Sequence, residues 1–158
     1  MSLQRSKNEG ILGYYLSQKV IPNNDELDRR ILNILGENKI DMIFLAGYMK
    51  MLGYPVLRKY ENRIFNIHPA LLPKYGGKGM YGMNVHKAVI QAKEKVSGVT
   101  IHRVNENYDS GEIVAQTEVP VMPNDMPENL AARVLEREHS FLIKVICDIV
   151  NGKIKLGI

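Results

Sequence analysis

The sequence predicts an α/β protein built around parallel strands. Asp41–Gly47 is a short apolar run between a charged residue and a glycine, as is typical of a strand buried on both faces of a parallel sheet. Arg63–His68 is a second strand, and Pro55–Tyr60 between them forms a short helix. Two strands joined by a helix in this way predict a right-handed βαβ crossover. The carboxyl ends of both strands should therefore border one ligand-binding crevice.

The amino-terminal part of the chain predicts two helices. Leu3–Gly10 has the pattern of the end of a helix that stops at its glycine. Asn23–Glu26 supplies an N-cap for the helix Leu27–Leu35, whose apolar residues lie on one face. Gly36 is the candidate C-cap of that helix.

The carboxyl-terminal half continues the alternation of helices and strands. We expect a helix at Met83–Ala92, strands at Val96–Val104 and Ile113–Val121, a long helix from Asp125–Glu128 to about Val150, and a last short strand at Ile154–Leu156. His86 on the first of these helices should be outward-facing or structural. The polar loop between the two strands brings Asp109 and the turn residue Gly111 to an end of the sheet.

The strand Arg63–His68 carries two candidate catalytic residues. Alternation with period two puts Asn66 and His68 on one face where the strand runs out, and Pro69 ends the strand. The amide of Asn66 can donate to a carbonyl oxygen that becomes an oxyanion, and an imidazole can donate a second hydrogen bond or move a proton near neutral pH. A histidine at a strand end is more often a structural residue, so this pair alone does not establish catalysis.

The composition is that of an ordinary globular domain. The chain has 158 residues, 45% of them hydrophobic and 24% charged, which fits one domain with a sizeable core. Despite a net charge of +4, Lys and Arg are scattered, so nucleic acid is not an expected partner. We see no apolar run of membrane-spanning length and no signal peptide, and we expect a cytoplasmic protein with no membrane partner. Cys147 stands alone and should be a core residue, which excludes a cysteine metal cluster.

Between the second strand and the next helix, Lys74–Gly82 holds four glycines in nine residues. Its backbone amides could cradle a phosphate, but the spacing matches neither a Walker motif nor a dinucleotide site. We expect a mobile flap instead.

The order of several motifs resembles one enzyme family. They are Leu-Ala-Gly-Tyr-Met after the first strand, Phe-Asn-Ile-His-Pro-Ala-Leu-Leu-Pro-Lys-Tyr around His68, Gly-Val-Thr-Ile-His, Tyr-Asp-Ser-Gly-Glu-Ile-Val-Ala-Gln around Asp109, and Arg-Glu-His. Over nearly the whole chain this order resembles phosphoribosylglycinamide formyltransferase, a folate-dependent enzyme of purine synthesis. Asn-Ile-His-Pro with Leu-Leu-Pro and a downstream Asp-x-Gly is specific to folate-dependent formyl transfer.

The resemblance implies transfer of the formyl group from the co-substrate 10-formyltetrahydrofolate to the amine of 5'-phosphoribosylglycinamide (glycinamide ribonucleotide) in de novo purine (IMP) biosynthesis. Asn66 then holds the formyl oxygen, His68 is the acid–base and oxyanion partner, and Asp109 sits against the imidazole and helps to move the proton. A neighbouring carboxylate should raise the pKa of His68 and make it a better donor at neutral pH. The implied transfer is direct, with no covalent enzyme intermediate and no metal.

The resemblance also implies binding residues. The folate pocket is lined by the four residues Met49, Lys50, Met51 and Leu52, with Asn66. Glu138 binds the ribose hydroxyls of the substrate, and His102 is a supporting residue. Without the resemblance, residues 49–52 are an ordinary loop after a strand, and Glu138 lies on a solvated helix face. Glycinamide ribonucleotide is the expected small-molecule partner. We expect the protein to be a monomer or a homodimer.

The resemblance implies a three-layer, mostly parallel Rossmann-like sheet with an antiparallel carboxyl-terminal portion, in a single formyltransferase domain over residues 1–158. The family normally opens with a strand and a glycine-rich turn that grips the substrate phosphate. Nothing here matches that segment, so we expect an amino-terminally incomplete domain with poor activity on its own.

Other functions stay open. Methionyl-tRNA formyltransferase shares the catalytic trio but adds a carboxyl-terminal domain. Formyltetrahydrofolate deformylase usually has a second histidine where Pro69 stands. A catalytically silent folate-binding or oligomer-forming module is the alternative outside enzymes.

Overall fold

The computed structural model describes residues 2–155. In chain order its elements are α1 (Ser2–Asn8), α2 (Asn24–Glu37), β1 (Ile43–Leu45), α3 (Tyr54–Lys59), β2 (Ile64–His68), α4 (Met83–Gln91), β3 (Val96–Arg103), β4 (Ile113–Pro120) and α5 (Pro127–Val150). The chain divides into two compact units, Met1–Ile40 and Asp41–Ile158. Of the predicted last strand, residues 154 and 155 are not in a strand, and Leu156 lies outside the described residues.

The first unit contains the two predicted helices. Helix α1 ends just before Gly10, which has a φ of 66°, and the Ile11 N–H donates to the Ser6 carbonyl at 2.8 Å. This hydrogen bond satisfies a carbonyl that the end of a helix would otherwise leave free. The predicted stop at Gly10 is therefore confirmed.

Helix α2 has its N-cap within the predicted residues 23–26, but it begins before Leu27 and ends later than predicted. The Asn23 side-chain oxygen accepts from the Glu26 N–H at 2.9 Å, which caps the first turn. The helix continues through Gly36, so Gly36 is not its C-cap. Asn38 takes that position, because its side-chain amide donates to the Ile34 carbonyl at 2.8 Å and satisfies the last turn.

The second unit is organised by a four-stranded sheet with the order β1-β2-β3-β4. Strands β1 and β2 are parallel and are joined through α3, as the βαβ pattern predicts. Strands β2 and β3, and then β3 and β4, are antiparallel. The α/β class and the antiparallel carboxyl-terminal portion are confirmed. In the described part of the chain, however, the sheet is mixed and not mostly parallel.

Strand β1 is shorter and more exposed than its apolar run predicts. It covers Ile43–Leu45, and all three residues are partly exposed. The strand lies at one end of the four-strand order described, so only one of its edges is paired within that sheet. The expectation of burial on both faces is therefore wrong for β1 as described. Strands β2 and β3, which lie inside the sheet, are the ones with near-complete burial.

The hydrophobic core of the second unit lies between one face of the sheet and α5. Its buried members are Phe65, Ile67, Val89, Val99, Ile101, Val119, Leu130, Val134, Phe141, Val145 and Ile149. Alternation along β2 and β3 turns the remaining residues of those strands to the opposite face. The polar side chains of the candidate site therefore stand on a rigid sheet whose other face is packed.

Two expectations outside the core have different outcomes. Cys147 is exposed on α5, so its prediction as a core residue is wrong. The apolar stripe of the helix is carried instead by residues such as Phe141, Val145 and Ile149, and Cys147 falls on another face. Within residues 2–155, no helix combines the length and apolarity that a membrane span requires.

Candidate active site

Asn66 and His68 lie on one face of β2, as the alternation predicts. In the antiparallel register with β3, Asn66 stands opposite His102 and His68 stands opposite Thr100. Only 3% of the surface of His68 is exposed, and Asn66 is half-buried. The strand therefore presents an amide and an imidazole side by side in a largely desolvated place.

The turn after β2 is held by a buried hydroxyl. Thr100 Oγ1 donates to the Ala70 carbonyl at 2.6 Å and accepts from the Leu72 N–H at 3.0 Å. The Gln116 side-chain amide donates to the same hydroxyl at 2.8 Å and to the Leu72 carbonyl at 2.9 Å. These contacts fix the chain directly behind His68.

Asp109 reaches the two histidines from the loop between β3 and β4. One carboxylate oxygen lies 3.6 Å from His68 Nδ1 and the other lies 3.4 Å from His102 Nε2. The Gly77 N–H donates to the carboxylate at 2.9 Å. Asp109 has a φ of 51°, a conformation that aspartate tolerates better than most residues. The predicted placement of Asp109 at the end of the sheet is confirmed.

The hydrogen bond of His68 to the backbone determines which nitrogen faces the carboxylate. His68 Nε2 lies 2.8 Å from the Tyr75 carbonyl, which can only accept, so the Nε2–H donates. In neutral His68 the other nitrogen, Nδ1, then carries a lone pair. That lone pair points toward the side of the ring where Asp109 lies.

The pKa of His68 is lowered, not raised as the sequence predicts. Burial of the ring lowers it below the ordinary value of 6.5, and this outweighs the raising effects of the Asp109 charge and the hydrogen bond to the Tyr75 carbonyl. Repulsion by a charged His102 lowers it further. The expected effect of the carboxylate exists, but desolvation is larger. His68 is therefore mainly a neutral base at neutral pH.

Asp109 remains ionised beside that neutral ring. Burial would raise the pKa of its carboxyl, but the close contact with the His102 side chain, the hydrogen bond from the Gly77 N–H and the positive charge of either histidine when protonated together lower the pKa below 3.8. The carboxylate is thus ready to stabilise an imidazolium that forms during a reaction.

His102 orients the amide of Asn66. His102 Nδ1 donates to the Arg103 carbonyl at 2.8 Å, so Nε2 of the neutral ring is an acceptor. The Asn66 side-chain nitrogen lies 3.1 Å from that Nε2 and donates one of its two hydrogens to it. The second hydrogen of the amide is left for another acceptor. The register of β3 against β4 shifts between Ile101 and His102, next to this contact.

These residues border a cavity of about 650 Å³, which is large enough for a small-molecule site. The four residues predicted for folate binding, Met49, Lys50, Met51 and Leu52, all line it. Met49 and Met51 expose 63% and 38% of their surface, and Tyr48 beside them exposes 41%. Polarisable and aromatic side chains of this kind suit a flat ring.

Glu138 lines the same cavity from α5. Burial raises the pKa of its carboxyl from 4.5 to about 7. At neutral pH the carboxyl group is therefore present both as the acid, which donates a hydrogen bond, and as the carboxylate, which only accepts. Glu138 therefore does not lie on the solvated helix face that the sequence alone suggests.

Sequence reasoning missed three features of the site. His86 is 5% exposed and lines the cavity, so it is not outward-facing; among the described residues its Nδ1 has no hydrogen-bond partner. The hydroxyl of Thr100 and the backbone of residues 75–77 hold the catalytic candidates through contacts that no local pattern reveals. An apolar stripe on α4 that included His86 was the one available signal.

Comparisons with known proteins agree with this geometry. The formyl transferase family matches residues 1–146. Phosphoribosylglycinamide formyltransferase of Haemophilus influenzae is 38% identical over 154 residues, which cover 98% of this chain and 70% of that protein. The chloroplastic enzyme of Arabidopsis thaliana is 45% identical over 134 residues, covering 85% of this chain and 46% of that protein. The chain thus spans about half the length of this plant relative, and 37% of a second one, from Vigna unguiculata.

Solved structures agree as well. Phosphoribosylglycinamide formyltransferase from Streptococcus pneumoniae superposes with a TM-score of 0.83 at 34% identity, covering 92% of this chain and 78% of that one. The enzyme from Brucella melitensis gives a TM-score of 0.80 at 38% identity, covering 89% and 70%. A formyltetrahydrofolate deformylase from Pseudomonas syringae gives 0.75 at 24% identity, which shows a shared fold.

Proposed function

Because the chain belongs to the formyl transferase family, and within it to the phosphoribosylglycinamide formyltransferases, we propose that it transfers a formyl group from 10-formyltetrahydrofolate to the amine of glycinamide ribonucleotide. This is a step of de novo purine biosynthesis. We propose that residues 1–158 belong to one formyltransferase domain. The roles of individual residues below are part of the same proposal.

One observation carries the proposal. The Asp109 carboxylate lies within 3.6 Å of the His68 ring and 3.4 Å of the His102 ring, and the Asn66 amide reaches the same cavity. A base, a charge that stabilises its protonated form, and a hydrogen-bond donor are the groups that an acyl transfer to an amine requires. All of them are buried or half-buried, where charge stabilisation is stronger than in water.

The three side chains divide the chemistry between them. As the amine nitrogen bonds to the formyl carbon, the free hydrogen of the Asn66 amide donates to the formyl oxygen, on which negative charge develops. Neutral His68 accepts the proton that the amine loses, at Nδ1, and Asp109 stabilises the resulting imidazolium. The same proton then moves to the folate nitrogen as its bond to the formyl carbon breaks. Atoms and charges balance without a covalent bond to the protein.

Binding is assigned to the cavity walls. The residues of the loop after β1, Met49, Lys50, Met51 and Leu52, fit a folate ring through apolar side chains and backbone groups. Glu138 lines the same cavity, and we propose that it hydrogen-bonds the ribose hydroxyls. Its carboxyl, with a pKa of about 7, can do so in either protonation state. The folate supplies the activated formyl group when bound.

The test is formyl transfer by the protein carrying these residues. We expect product from 10-formyltetrahydrofolate and glycinamide ribonucleotide, and a loss of roughly 10²- to 10⁴-fold in kcat for His68→Asn. Arg58→Gln, on the outer side of α3, is the control. Formate released without an acceptor would indicate a deformylase, and folate binding without transfer would indicate a binding module. Either result, or full activity of His68→Asn, contradicts the proposal.

We also propose a cytoplasmic monomer or homodimer that acts on small molecules. Fractionation of cells that express the tagged protein tests the location, and relatives named chloroplastic make a plastid the alternative to examine. Sedimentation at several protein concentrations tests the oligomeric state, since a dimer dissociates on dilution.

A further inference from the structure

We propose that the backbone of residues 75–77 is the positioning element that holds His68 and Asp109 against each other, and that the contact between the Tyr75 phenol and Glu94 anchors this element. The assignment rests on the proposed function, because it gives these residues a task in the same reaction. None of them touches the reacting atoms in the scheme above, so they are positioning residues.

Two backbone hydrogen bonds carry the first half of the proposal. The Tyr75 carbonyl accepts from His68 Nε2–H at 2.8 Å, and the Gly77 N–H donates to the Asp109 carboxylate at 2.9 Å. His68 comes from a strand and Asp109 from a distant loop, so their side chains share no local support. A single stretch of three residues therefore fixes the orientation of both members of the pair.

The conformation of the stretch explains how it reaches both groups. Tyr75 has a φ of 57° and Gly77 a φ of 92°, so the chain turns sharply between the carbonyl and the amide that it presents. A Cβ on Gly76 would lie 2.5 Å from Leu72 Cδ2 and 3.1 Å from Asp109 Cβ. The absence of a side chain at position 76 is what lets the backbone approach Asp109 this closely.

The anchor lies outside the cavity, on Glu94. The Tyr75 hydroxyl donates to the Glu94 carboxylate at 2.9 Å, while the Tyr75 ring packs on the hydrophobic core. Lys74 also donates to Glu94, at 3.0 Å, but 70% of its side chain is exposed. Exposed ion pairs of this kind contribute little, because water and salt screen them. The phenol contact should therefore matter and the lysine contact should not.

The experiment compares Tyr75→Phe and Glu94→Met with Lys74→Gln. The first two remove the hydrogen bond between the Tyr75 hydroxyl and Glu94 and keep the approximate size of the side chains, and the third removes only the exposed ion pair between Lys74 and Glu94. We expect kcat/KM for formyl transfer to fall roughly 10- to 100-fold in the first two, since a small displacement of catalytic groups has this effect. Lys74→Gln should stay within about twofold. Thermal unfolding confirms that each variant is folded.

A second measurement does not depend on any substrate. Nitrogen NMR of His68 reports which ring nitrogen carries the proton, and an NMR titration reports its pKa. Loss of the Tyr75 carbonyl contact should weaken the preference for the Nε2–H form and lower the pKa of His68 further. The pKa of Asp109 should rise as the Gly77 N–H moves away. The other titratable groups facing the pair, His86 and His102, are unchanged in these variants.

The two measurements separate the possible failures. If the wild-type protein transfers no formyl group but the NMR changes occur in Tyr75→Phe and Glu94→Met, the proposed reaction is wrong and the positioning element stands. If both variants match Lys74→Gln in NMR and in rate, the positioning proposal is wrong whatever the reaction is.

Discussion

Replacing Thr100 by valine removes a buried hydroxyl while keeping the shape of the side chain. Thr100 is fully buried, and its hydroxyl donates to the Ala70 carbonyl and accepts from the Leu72 N–H and the Gln116 amide. Ala70 and Leu72 belong to the turn directly behind His68, and Gln116 lies on β4. The substitution therefore tests whether one hydroxyl on β3 holds the catalytic end of β2 in place.

The expected loss follows from what each partner can do afterwards. Ala70 and Leu72 are buried, so their carbonyl and N–H lose their hydrogen bonds to the hydroxyl with little access to water. A buried polar group left unsatisfied costs roughly 1–3 kcal/mol. The Gln116 amide is only partly buried and keeps its bond to the Leu72 carbonyl. We expect the free energy of unfolding to fall by about 3 kcal/mol, because the two losses share one turn and do not fully add.

Equilibrium urea unfolding measures this loss, and Thr100→Ser is the control. Serine keeps the hydroxyl and removes one methyl group, which should cost about 1 kcal/mol. An unchanged dependence on urea shows that the valine variant unfolds from an equally compact state. Should Thr100→Val prove as stable as Thr100→Ser, the hydroxyl does not hold the turn, and the stiffness behind His68 needs another cause.

Three further outcomes follow from single residues. Asp109→Asn should lower kcat by roughly 10²- to 10⁴-fold in single-turnover formyl transfer, because the imidazolium loses its counter-charge; a loss below tenfold contradicts this role. Gly98→Ala places a Cβ against the Thr117 carbonyl oxygen and 2.5 Å from Leu71 Cδ2, so the free energy of unfolding should fall by about 1–3 kcal/mol in urea; unchanged stability would show that the strands can separate. Between pH 4.5 and about 7, Glu138 keeps a proton in the folded protein that it releases in the unfolded chain. The free energy of unfolding contributed by this group should therefore fall as pH rises through that range, and urea unfolding of Glu138→Gln should lack this part of the fall.

Much of the second unit could be predicted because its signals are local. The alternation along β2 depends only on neighbouring residues, and it put Asn66 and His68 on one face as observed. Pro69 and the polar loop that carries Asp109 mark ends of elements through their own backbone preferences. The burial of β1 was overestimated, because an apolar run does not say how many strands lie beside it. Cys147 was misplaced because a one-residue rotation around α5 decides between core and solvent.

The electrostatics of the site could not be predicted in the same way. The family resemblance implies that the Asp109 carboxylate lies against His68, and this alone predicts a raised pKa of His68. The burial of His68 depends on packing around the whole end of the sheet, which the sequence does not show. This burial lowers the pKa of His68 by more than the carboxylate raises it. The backbone contacts from Tyr75 and Gly77 are equally hidden, because any residue type can supply a carbonyl or an N–H.

This reversal changes which residue does what in the proposed reaction. An imidazole that is neutral, with Nε2–H committed to the Tyr75 carbonyl, has no free proton to donate to the formyl oxygen. Donation to the oxyanion must then come from Asn66, whose amide His102 holds with one hydrogen still available. His68 instead enters the reaction as a base that accepts the proton at Nδ1. Before the transfer, the Asp109 carboxylate lies 3.6 Å from a nitrogen with a lone pair; after it, the carboxylate and the imidazolium form an ion pair. Charge stabilisation by Asp109 therefore grows only as the proton moves, which lowers the barrier without strengthening the free state.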